Sequence, residues 1–489
     1  MKKLLFLFLS LFVVFGLLFK GATHARAQET GGSWTAPYQL STDQRKASEA
    51  ALVTDSYGFV HAFWSEELGD TRSVIQYARF DGNNWSTPID IFRTEDFITI
   101  SNVSAAIDKN EVLHVVWSEG MTGPVRYTEA PASQALSARI WENPIKLNIP
   151  ADRVYLQIDS DDVYHLLYIK FLGDDQGVYY TRSTDHAITW SGRVRLDPDI
   201  PADYAPRSLS FELDENDGLH AAWYYVPREA VGGDWVRYTH SLNHGQDWSK
   251  PLTIDYLGDP FGNLDFADPV MAISGRIVLI VWASGDNFIY RYYQFSTDYG
   301  NSWSSPERFF GDLNGQAYDG LAVDGLGRIH YFAQVRFPQG IYHAVWDQQR
   351  WSTPELVYFM RASSDDSMGS HIQAHWTKGV VRLGNQLVLT FTDPPPDPKR
   401  RLFEVHLTLQ DVPPVAPIPT SAPIPTAAST PIPTEMPTPI ASTEVVPFKN
   451  SSEPDQVPSP AVFLWYGIAP SIAVVIGSFA YFYFKKNRR

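Results

Sequence analysis

The segment Ser296-Thr297-Asp298-Tyr299-Gly300-Asn301-Ser302-Trp303-Ser304-Ser305-Pro306 decides the fold, because its pattern returns along the chain. A tryptophan that opens a short strand recurs about every fifty residues, at Trp34, Trp85, Trp141, Trp190, Trp248, Trp303 and Trp351. Between consecutive tryptophans lies an aspartate turn followed by a strand that is usually of the form His-x-x-Trp. A repeat of about fifty residues built only from strand signals predicts an all-β protein, a β-propeller with one four-stranded blade per repeat.

A proline marks the outer edge of each predicted blade. It follows the tryptophan by three residues in six of the repeats, at Pro37, Pro88, Pro144, Pro251, Pro306 and Pro354. Because proline removes a donor from the sheet ladder, it belongs on an edge strand, where it also hinders edge-to-edge pairing. The tryptophan strand is therefore the fourth and outermost strand of its blade.

The first and last repeats are both incomplete. Trp34 has no inner hairpin before it, and the last hairpin, residues 380–409, has no tryptophan strand after it. The two halves complete each other, so we predict seven blades with the N-terminal strand closing the C-terminal blade. The alternative is six blades with a decorated end.

The turn before the tryptophan carries a second motif. Ser296, Asp298, Gly300 and Trp303 form the complete pattern S-x-D-x-G-x-x-W. Two near copies have one replacement each, alanine for glycine in Ser183, Asp185 and Trp190, and asparagine for aspartate in Ser241, Asn243, Gly245 and Trp248. In such a turn the aspartate accepts hydrogen bonds from backbone amides and the glycine permits a positive φ.

Residues 33–409 thereby resemble the Asp-box (BNR repeat) propeller superfamily, whose best-known members are sialidases. In that superfamily the boxes join the third and fourth strands on the face away from the active site. The resemblance implies a structural role for the boxes and a ligand site among the loops of the opposite face. Long loops on a rigid scaffold are where binding residues tend to lie.

Sialidases use three arginines for the substrate carboxylate, a tyrosine nucleophile with a glutamate base, and an aspartate acid/base. On the loops opposite the boxes this sequence offers Arg153, Arg207, Asp203, Tyr204, Tyr318, Asp319, Glu66 and Glu119 as candidates. The alternative is that the two arginines are solvated residues at strand starts and that the glutamates only follow the repeated Trp-Ser phrase. No Arg-Ile-Pro sequence, which marks the first sialidase arginine, occurs in the chain.

The histidines of the second strands lie one per blade, at His61, His114, His165, His220 and His330. They do not share a local metal-ligand spacing, so we expect packing residues rather than ligands. Acidic residues at 159–162 and 214–218 are able to hold calcium, but both lie where a plain turn is expected. We therefore predict no cofactor and no metal.

The ends of the chain indicate export and anchoring. Residues 1–27 have the basic start, apolar run and Ala-x-Ala end of a signal peptide. After the propeller, residues 28–410, a Pro/Thr/Ser-rich stretch at 411–460 indicates an extended stalk. Residues 461–484 contain no charge and are long enough to span a bilayer, and the basic tail at 485–489 is expected to be cytoplasmic.

Composition restricts the partners. The net charge of −16 argues against nucleic acid or an anionic membrane surface, and the absence of cysteine excludes thiol chemistry. We predict a single-pass cell-surface module, with the propeller extracellular, that binds a glycan or protein through its loops. The alternatives are a sialidase-like exo-glycosidase and a purely structural role, while ligand and oligomeric state stay open.

Overall fold

The computed structural model describes residues 32–417, except 70–71, 96, 121, 174, 228–234, 255–266, 285–289, 314–317, 336–337, 360–374 and 394–399. The regular structure of this part is entirely β-strand and forms seven four-stranded sheets. The seven-bladed propeller predicted from the repeat is confirmed, and the six-blade alternative is wrong. The predicted signal peptide, transmembrane segment and tail, and most of the stalk, lie outside the described residues.

The blades follow the chain in order. Blade 1 contains β2 (Ala51–Thr54), β3 (Val60–Leu68), β4 (Arg72–Phe80) and β5 (Ile89–Arg93), and blade 2 contains β6 (Ile100–Ile107), β7 (Val112–Glu119), β8 (Pro124–Pro131) and β9 (Ile145–Pro150). Blade 3 contains β10 (Arg153–Ile158), β11 (Tyr164–Lys170), β12 (Gly177–Ser183) and β13 (Val194–Arg195), and blade 4 contains β14 (Tyr204–Leu213), β15 (Leu219–Pro227), β16 (Trp235–Ser241) and β17 (Leu252–Ile254).

Blade 5 contains β18 (Ala267–Ser274), β19 (Ile277–Ser284), β20 (Tyr290–Ser296) and β21 (Glu307–Phe309), and blade 6 contains β22 (Gly320–Val323), β23 (Ile329–Val335), β24 (Gly340–Trp346) and β25 (Glu355–Tyr358). Blade 7 contains β26 (His375–Arg382), β27 (Gln386–Asp393), β28 (Arg401–Thr408) and, as its outer strand, β1 (Tyr38–Gln39).

The N-terminal strand closes the ring as predicted. Tyr38 pairs with Glu404 of β28, and the Thr35 amide donates to the His406 carbonyl at 3.0 Å. The Trp34 ring packs edge-on against the His343 ring of blade 6, with 5.4 Å between ring centroids. The first residues of the domain therefore join blades 6 and 7.

The Asp boxes hold the turns between third and fourth strands. In blade 5 the Ser296 hydroxyl accepts from the Gly300 amide at 2.8 Å, and the Asp298 carboxylate accepts from the Ser302 amide at 2.8 Å. The Trp303 ring meets Tyr238 of blade 4 at 4.8 Å between centroids. The box thus orders its turn and presents the tryptophan to the preceding blade, in agreement with the structural role expected for it.

Each of five blades contains a buried histidine hydrogen-bonded or ion-paired at both ring nitrogens. In blade 3 the Nδ1 atom of His165 lies 2.7 Å from the Tyr180 hydroxyl, and its Nε2 atom lies 3.0 Å from Asp159. The equivalent sets are Asp55–His61–Tyr77, Asp108–His114–Tyr127, Asp214–His220–Tyr238 and Asp324–His330–His343. These histidines tie the first turn of a blade to its third strand.

In the two acidic turns considered above as calcium sites, the first aspartate accepts a hydrogen bond from a backbone amide of its own turn. The Asp159 carboxylate accepts from the Val163 amide and the Asp214 carboxylate from the Gly218 amide, both at 2.8 Å. Across the described ranges, no group of three or more His, Cys, Asp or Glu side chains is placed to hold a metal ion.

The first strands of all seven blades line an axial channel with a volume of about 470 Å³. We call the end with the connections from second to third strands, and from each blade to the next, the loop face. The opposite end, which carries the Asp boxes, is the box face. Within residues 32–417 as described, no helix is long and apolar enough to cross a membrane.

Candidate ligand site

A small cavity of about 60 Å³ lies at the loop-face end of the channel, and we call it the axial mouth. It collects side chains that are distant in sequence, from blades 1, 3, 4, 5, 6 and 7. Its polar lining residues are Glu49, Arg153, Tyr155, Ser208, Ser210, Asp268, Tyr318, Asp319 and Lys378. A concave site with a few convergent polar groups is the expected form of a binding site in a propeller.

The backbone around the axial mouth is irregular. Ser208, Asp268 and Tyr318 have positive φ values of 39°, 37° and 99°, which non-glycine residues rarely adopt. Ser208 and Asp268 lie in β-bulges, where the register of the first and second strands shifts between Arg207 and Leu209 and between residues 267 and 270. Bulges re-aim side chains, and such conformations persist at a cost of about 1 to 3 kcal/mol each where the surrounding structure enforces them.

Two cations meet one carboxylate at the axial mouth. The Arg153 guanidinium lies 3.6 Å from Glu49 Oε1, and the Lys378 ammonium lies 3.8 Å from Glu49 Oε2. Both distances exceed the roughly 2.7 to 3.2 Å of a formed N–H···O hydrogen bond. Glu49 therefore balances the charge of both cations without using their hydrogen-bonding capacity.

The charge states follow from the surroundings. Burial works to lower the pKa of Arg153, but Tyr155, Glu49 and Asp268 outweigh it, and the pKa is raised. Burial likewise opposes the charge of Lys378, and Glu49 again leads the groups that raise its pKa. Burial raises the pKa of Tyr318 to about 12. Burial also raises the pKa of Tyr155. At neutral pH the mouth therefore presents two cations and two protonated phenols, Tyr155 and Tyr318.

Two carboxyl groups of the mouth and channel have a raised pKa. Burial raises the pKa of Asp268, although its hydrogen bond with Ser208 and the charge of Arg153 oppose the shift. Further along the channel, burial raises the pKa of Glu212 to about 7, against the effect of Lys378. Both acids are placed to exchange a proton at a pH closer to neutral than an ordinary carboxyl group does.

Three of the predicted site residues line the axial mouth, and a fourth is beside it. Arg153, Tyr318 and Asp319 are among the lining residues. Arg207 is exposed and stacks on Phe171, with 3.6 Å from its guanidinium carbon to the ring centroid. Both arginines lower the pKa of Asp152, so the three groups are neighbours.

Glu66 and Glu119 are not loop residues, contrary to the sequence prediction. Both lie within strands, β3 and β7, and are buried. The Glu66 carboxylate accepts from the Thr42 amide and from Trp64 Nε1, each at 3.1 Å, and Glu119 is ion-paired with Arg126 at 3.2 Å. The Glu66 carboxylate therefore fixes the N-terminal connection to blade 1, and the Glu119 carboxylate links the second and third strands of blade 2.

Asp319 lines the axial mouth, but its carboxylate is paired inside the protein. Its carboxylate lies 2.7 Å from Arg291 Nε and accepts from the Tyr331 hydroxyl at 2.5 Å, and acid and arginine are both almost fully buried. Asp203 is exposed before β14, and Tyr204 stacks on Trp235 at 4.7 Å between centroids. Asp319 is among the described lining residues of the mouth, whereas Asp203 and Tyr204 are not.

Sequence reasoning missed Glu49, Asp268 and Lys378. Each stands near the loop-face start of a first strand, the position that Arg153 occupies in blade 3. The usable signal was the position in the blade, since residues at or near the start of the innermost strand line the mouth in six of the seven blades. Charge at that position, rather than a motif, identifies the site.

No protein-family model matches the chain, and no curated protein matches its sequence. Among solved structures, it is similar to an ulvan lyase described as a polysaccharide lyase, at 10% identity over 74% of this chain and 94% of the lyase, with a TM-score of 0.50. It is also similar to a protein of unknown function from Dyadobacter fermentans (12% identity, 78% and 100% coverage, TM-score 0.49) and to NanB sialidase from Streptococcus pneumoniae (12%, 78% and 71%, TM-score 0.43). The similarity to the lyase is one of fold, and the ordered Asp boxes of the seven-bladed ring agree with the predicted resemblance to Asp-box propellers.

Proposed function

We propose that the axial mouth binds an acidic carbohydrate, and that the protein acts as a recognition module. The observation that carries the proposal is the convergence of Arg153 and Lys378 on Glu49 at 3.6 and 3.8 Å. A carboxylate or sulfate of a ligand that enters between the two cations gains shorter, charge-assisted hydrogen bonds, the strongest kind in proteins. The Glu49 carboxylate lies between the two cations and indicates where the anionic group of a ligand is expected to bind.

The remaining groups suit the hydroxyls and ring faces of a sugar. Tyr318 keeps its proton and donates, while Asp268 and Glu49 accept. The exposed side chains of Phe97 and Phe359 lie in loop-face connections and offer apolar surface around the mouth. The ulvan lyase named above was solved bound to -[GlcA(1-4)Rha3S]-, which guides the choice of acidic ligands for a first test.

The test is a binding titration of the purified protein with acidic and neutral oligosaccharides. Arg153→Ala is expected to weaken binding of acidic ligands about tenfold or more, since a hydrogen bond to a charged group contributes about 1.5 to 3 kcal/mol. Arg308→Ala is the matched control, because Arg308 stacks on Tyr290 at 3.8 Å in another part of blade 5. Equal binding of neutral and acidic ligands, or an unaltered affinity in Arg153→Ala, contradicts the proposal.

A second candidate, glycoside cleavage, is favoured by one observation. Asp268 lies at the mouth with Arg153 and Tyr318, and burial raises its pKa, as a general acid requires. Release of new sugar ends from the same ligands, abolished by Asp268→Asn with binding retained, would establish it. Recognition is the stronger proposal because Arg153 is the one arginine among the described lining residues of the mouth.

We also propose that the propeller is displayed outside the cell on a membrane anchor. The support is the sequence of residues 1–27, 461–484 and 485–489. Carbonate-washed membranes of expressing cells should retain the protein, and protease added outside should remove the propeller. Recovery of the whole chain in the soluble fraction counts against anchoring.

A further inference from the structure

The exposed arginine beside the axial mouth has an unusual environment. Arg207 stacks on Phe171 at 3.6 Å from guanidinium carbon to ring centroid. Within the described part of the chain, no carboxylate is ion-paired with it. Leu172, next to the ring, is 43% exposed. A guanidinium whose face lies on an aromatic ring keeps its N–H edge available for an anion. We call Arg207, Phe171 and Leu172 the Phe171 platform.

The chain holds Arg207 in this position through the bulge in β14. Arg207 is opposite Tyr224 of β15, and the register shifts before Leu209. The extra residue, Ser208, takes a positive φ of 39° and lines the axial mouth. One irregularity therefore directs Ser208 to the mouth and Arg207 to the platform.

The platform adjoins the mouth rather than forming an isolated surface. The pKa of Asp152, which burial raises, is lowered by both Arg153 and Arg207. Burial raises the pKa of Tyr224, and Asp268 and Tyr318 raise it further, whereas Arg207 and Arg153 lower it. Asp152 and Tyr224 are thus each near both Arg153 of the mouth and Arg207 of the platform, and Arg207 is next in sequence to Ser208, which lines the mouth.

We propose that the Phe171 platform is a second subsite, which binds the anionic group of the next unit of an acidic oligosaccharide whose first unit is in the axial mouth. This inference rests on the proposed function of the mouth. It assigns Arg207 to contact with the ligand, Phe171 to holding the guanidinium, and Leu172 to contact with the sugar ring. The ligand class it names is a carbohydrate of at least two units with acid groups on more than one.

The experiment compares galacturonate and glucuronate with their tetrasaccharides in titrations of the whole protein. Arg207→Ala is expected to weaken tetrasaccharide binding about tenfold and to leave monosaccharide binding within about twofold. Phe171→Leu, which removes the stacking ring but keeps apolar volume, is expected to have the same selective effect, smaller in size. Arg308→Ala, which removes the stacked arginine of blade 5, should alter neither.

The outcomes separate the two proposals. Equal losses for both ligand lengths, or no loss in Arg207→Ala, overturn the second subsite and leave the mouth as the site. If the wild-type protein binds none of the four ligands, this inference fails, and the proposed binding of uronates at the axial mouth fails with it. Circular dichroism and the thermal midpoint of each variant establish that the exposed substitution has left the propeller folded.

Discussion

Substitution of Gly300 by alanine tests how the Asp box is built into the ring. Gly300 has a φ of +85°, and an added Cβ would lie 1.8 Å from the Tyr238 hydroxyl of the preceding blade. That hydroxyl is 2.6 Å from His220 Nδ1, so it belongs to the buried histidine set of blade 4. An alanine must therefore displace a side chain that is itself hydrogen-bonded.

The cost has two parts. A left-handed conformation costs a residue with a Cβ about 1 to 2 kcal/mol. Displacement of Tyr238 leaves the buried nitrogen of His220 without its partner, which costs about 1 to 3 kcal/mol more. Together, Gly300→Ala should lower the free energy of unfolding by about 2 to 5 kcal/mol.

The sequence contains its own control. Blade 3 has alanine at the equivalent position, Ala187, which is buried with a φ of 62°. It packs with Tyr127, whose hydroxyl donates to Glu129 and is 2.7 Å from His114. Ala187→Gly should change the free energy of unfolding by no more than about 1 kcal/mol.

Thermal and denaturant unfolding of the two variants beside the wild-type protein measure the difference. A decrease of several degrees in the midpoint for Gly300→Ala, with Ala187→Gly close to wild type, is expected. A Gly300→Ala protein that unfolds at the wild-type midpoint would refute the reasoning. A loss in Gly300→Ala matched by an equal gain in Ala187→Gly would show that the backbone conformation alone, and not the contact with Tyr238, sets the cost of a side chain at this position.

Two further predictions concern buried charge. Asp319→Ala should destabilise the protein by about 3 to 5 kcal/mol, because it leaves Arg291 buried and unpaired, and denaturant unfolding measures this. A near-neutral result would return Asp319 to the candidates for ligand binding. Burial lowers the pKa of His330 to about 4 from its ordinary 6.5, so the unfolded chain binds this proton first as pH falls. Stability should therefore decline between about pH 7 and pH 4, by on the order of 3 kcal/mol from this residue, and His330→Gln should flatten that part of the unfolding midpoint against pH.

The fold was predictable because every repeat carries the same local information. A tryptophan strand with its proline defines an outer edge, and seven such strands divide the ring into seven sheets. The buried histidine sets were visible too, since the aspartate stands six residues before the histidine in each, as at Asp159 and His165. Their third member was not, because its distance from the histidine varies from blade to blade.

The site was only partly predictable, since it depends on features that do not repeat. Asp268 and Ser208 reach the axial mouth through bulges, and no sequence pattern marks a bulge in advance. Glu66 and Glu119 were wrongly assigned to loops because β3 and β7 extend past the Trp-Ser phrase. In a strand, an error of one or two residues at the end exchanges a buried position for an exposed one.

The protonation of the mouth bears on the choice between recognition and catalysis. Acid/base catalysis is most efficient when a group has a pKa near the working pH. Burial raises the pKa of Tyr318 to about 12, and Arg153 stays charged, so neither group titrates near neutral pH, as suits the hydrogen-bond donors of the proposed recognition site. Glu212, with a pKa of about 7, lines the channel further toward the box face and is not among the lining residues of the mouth. Asp319 and Asp268 are the carboxyl groups among the described lining residues of the mouth whose pKa is raised, and Asp319 is ion-paired with the buried Arg291. Substitution of Asp268 is therefore the one that separates binding from turnover.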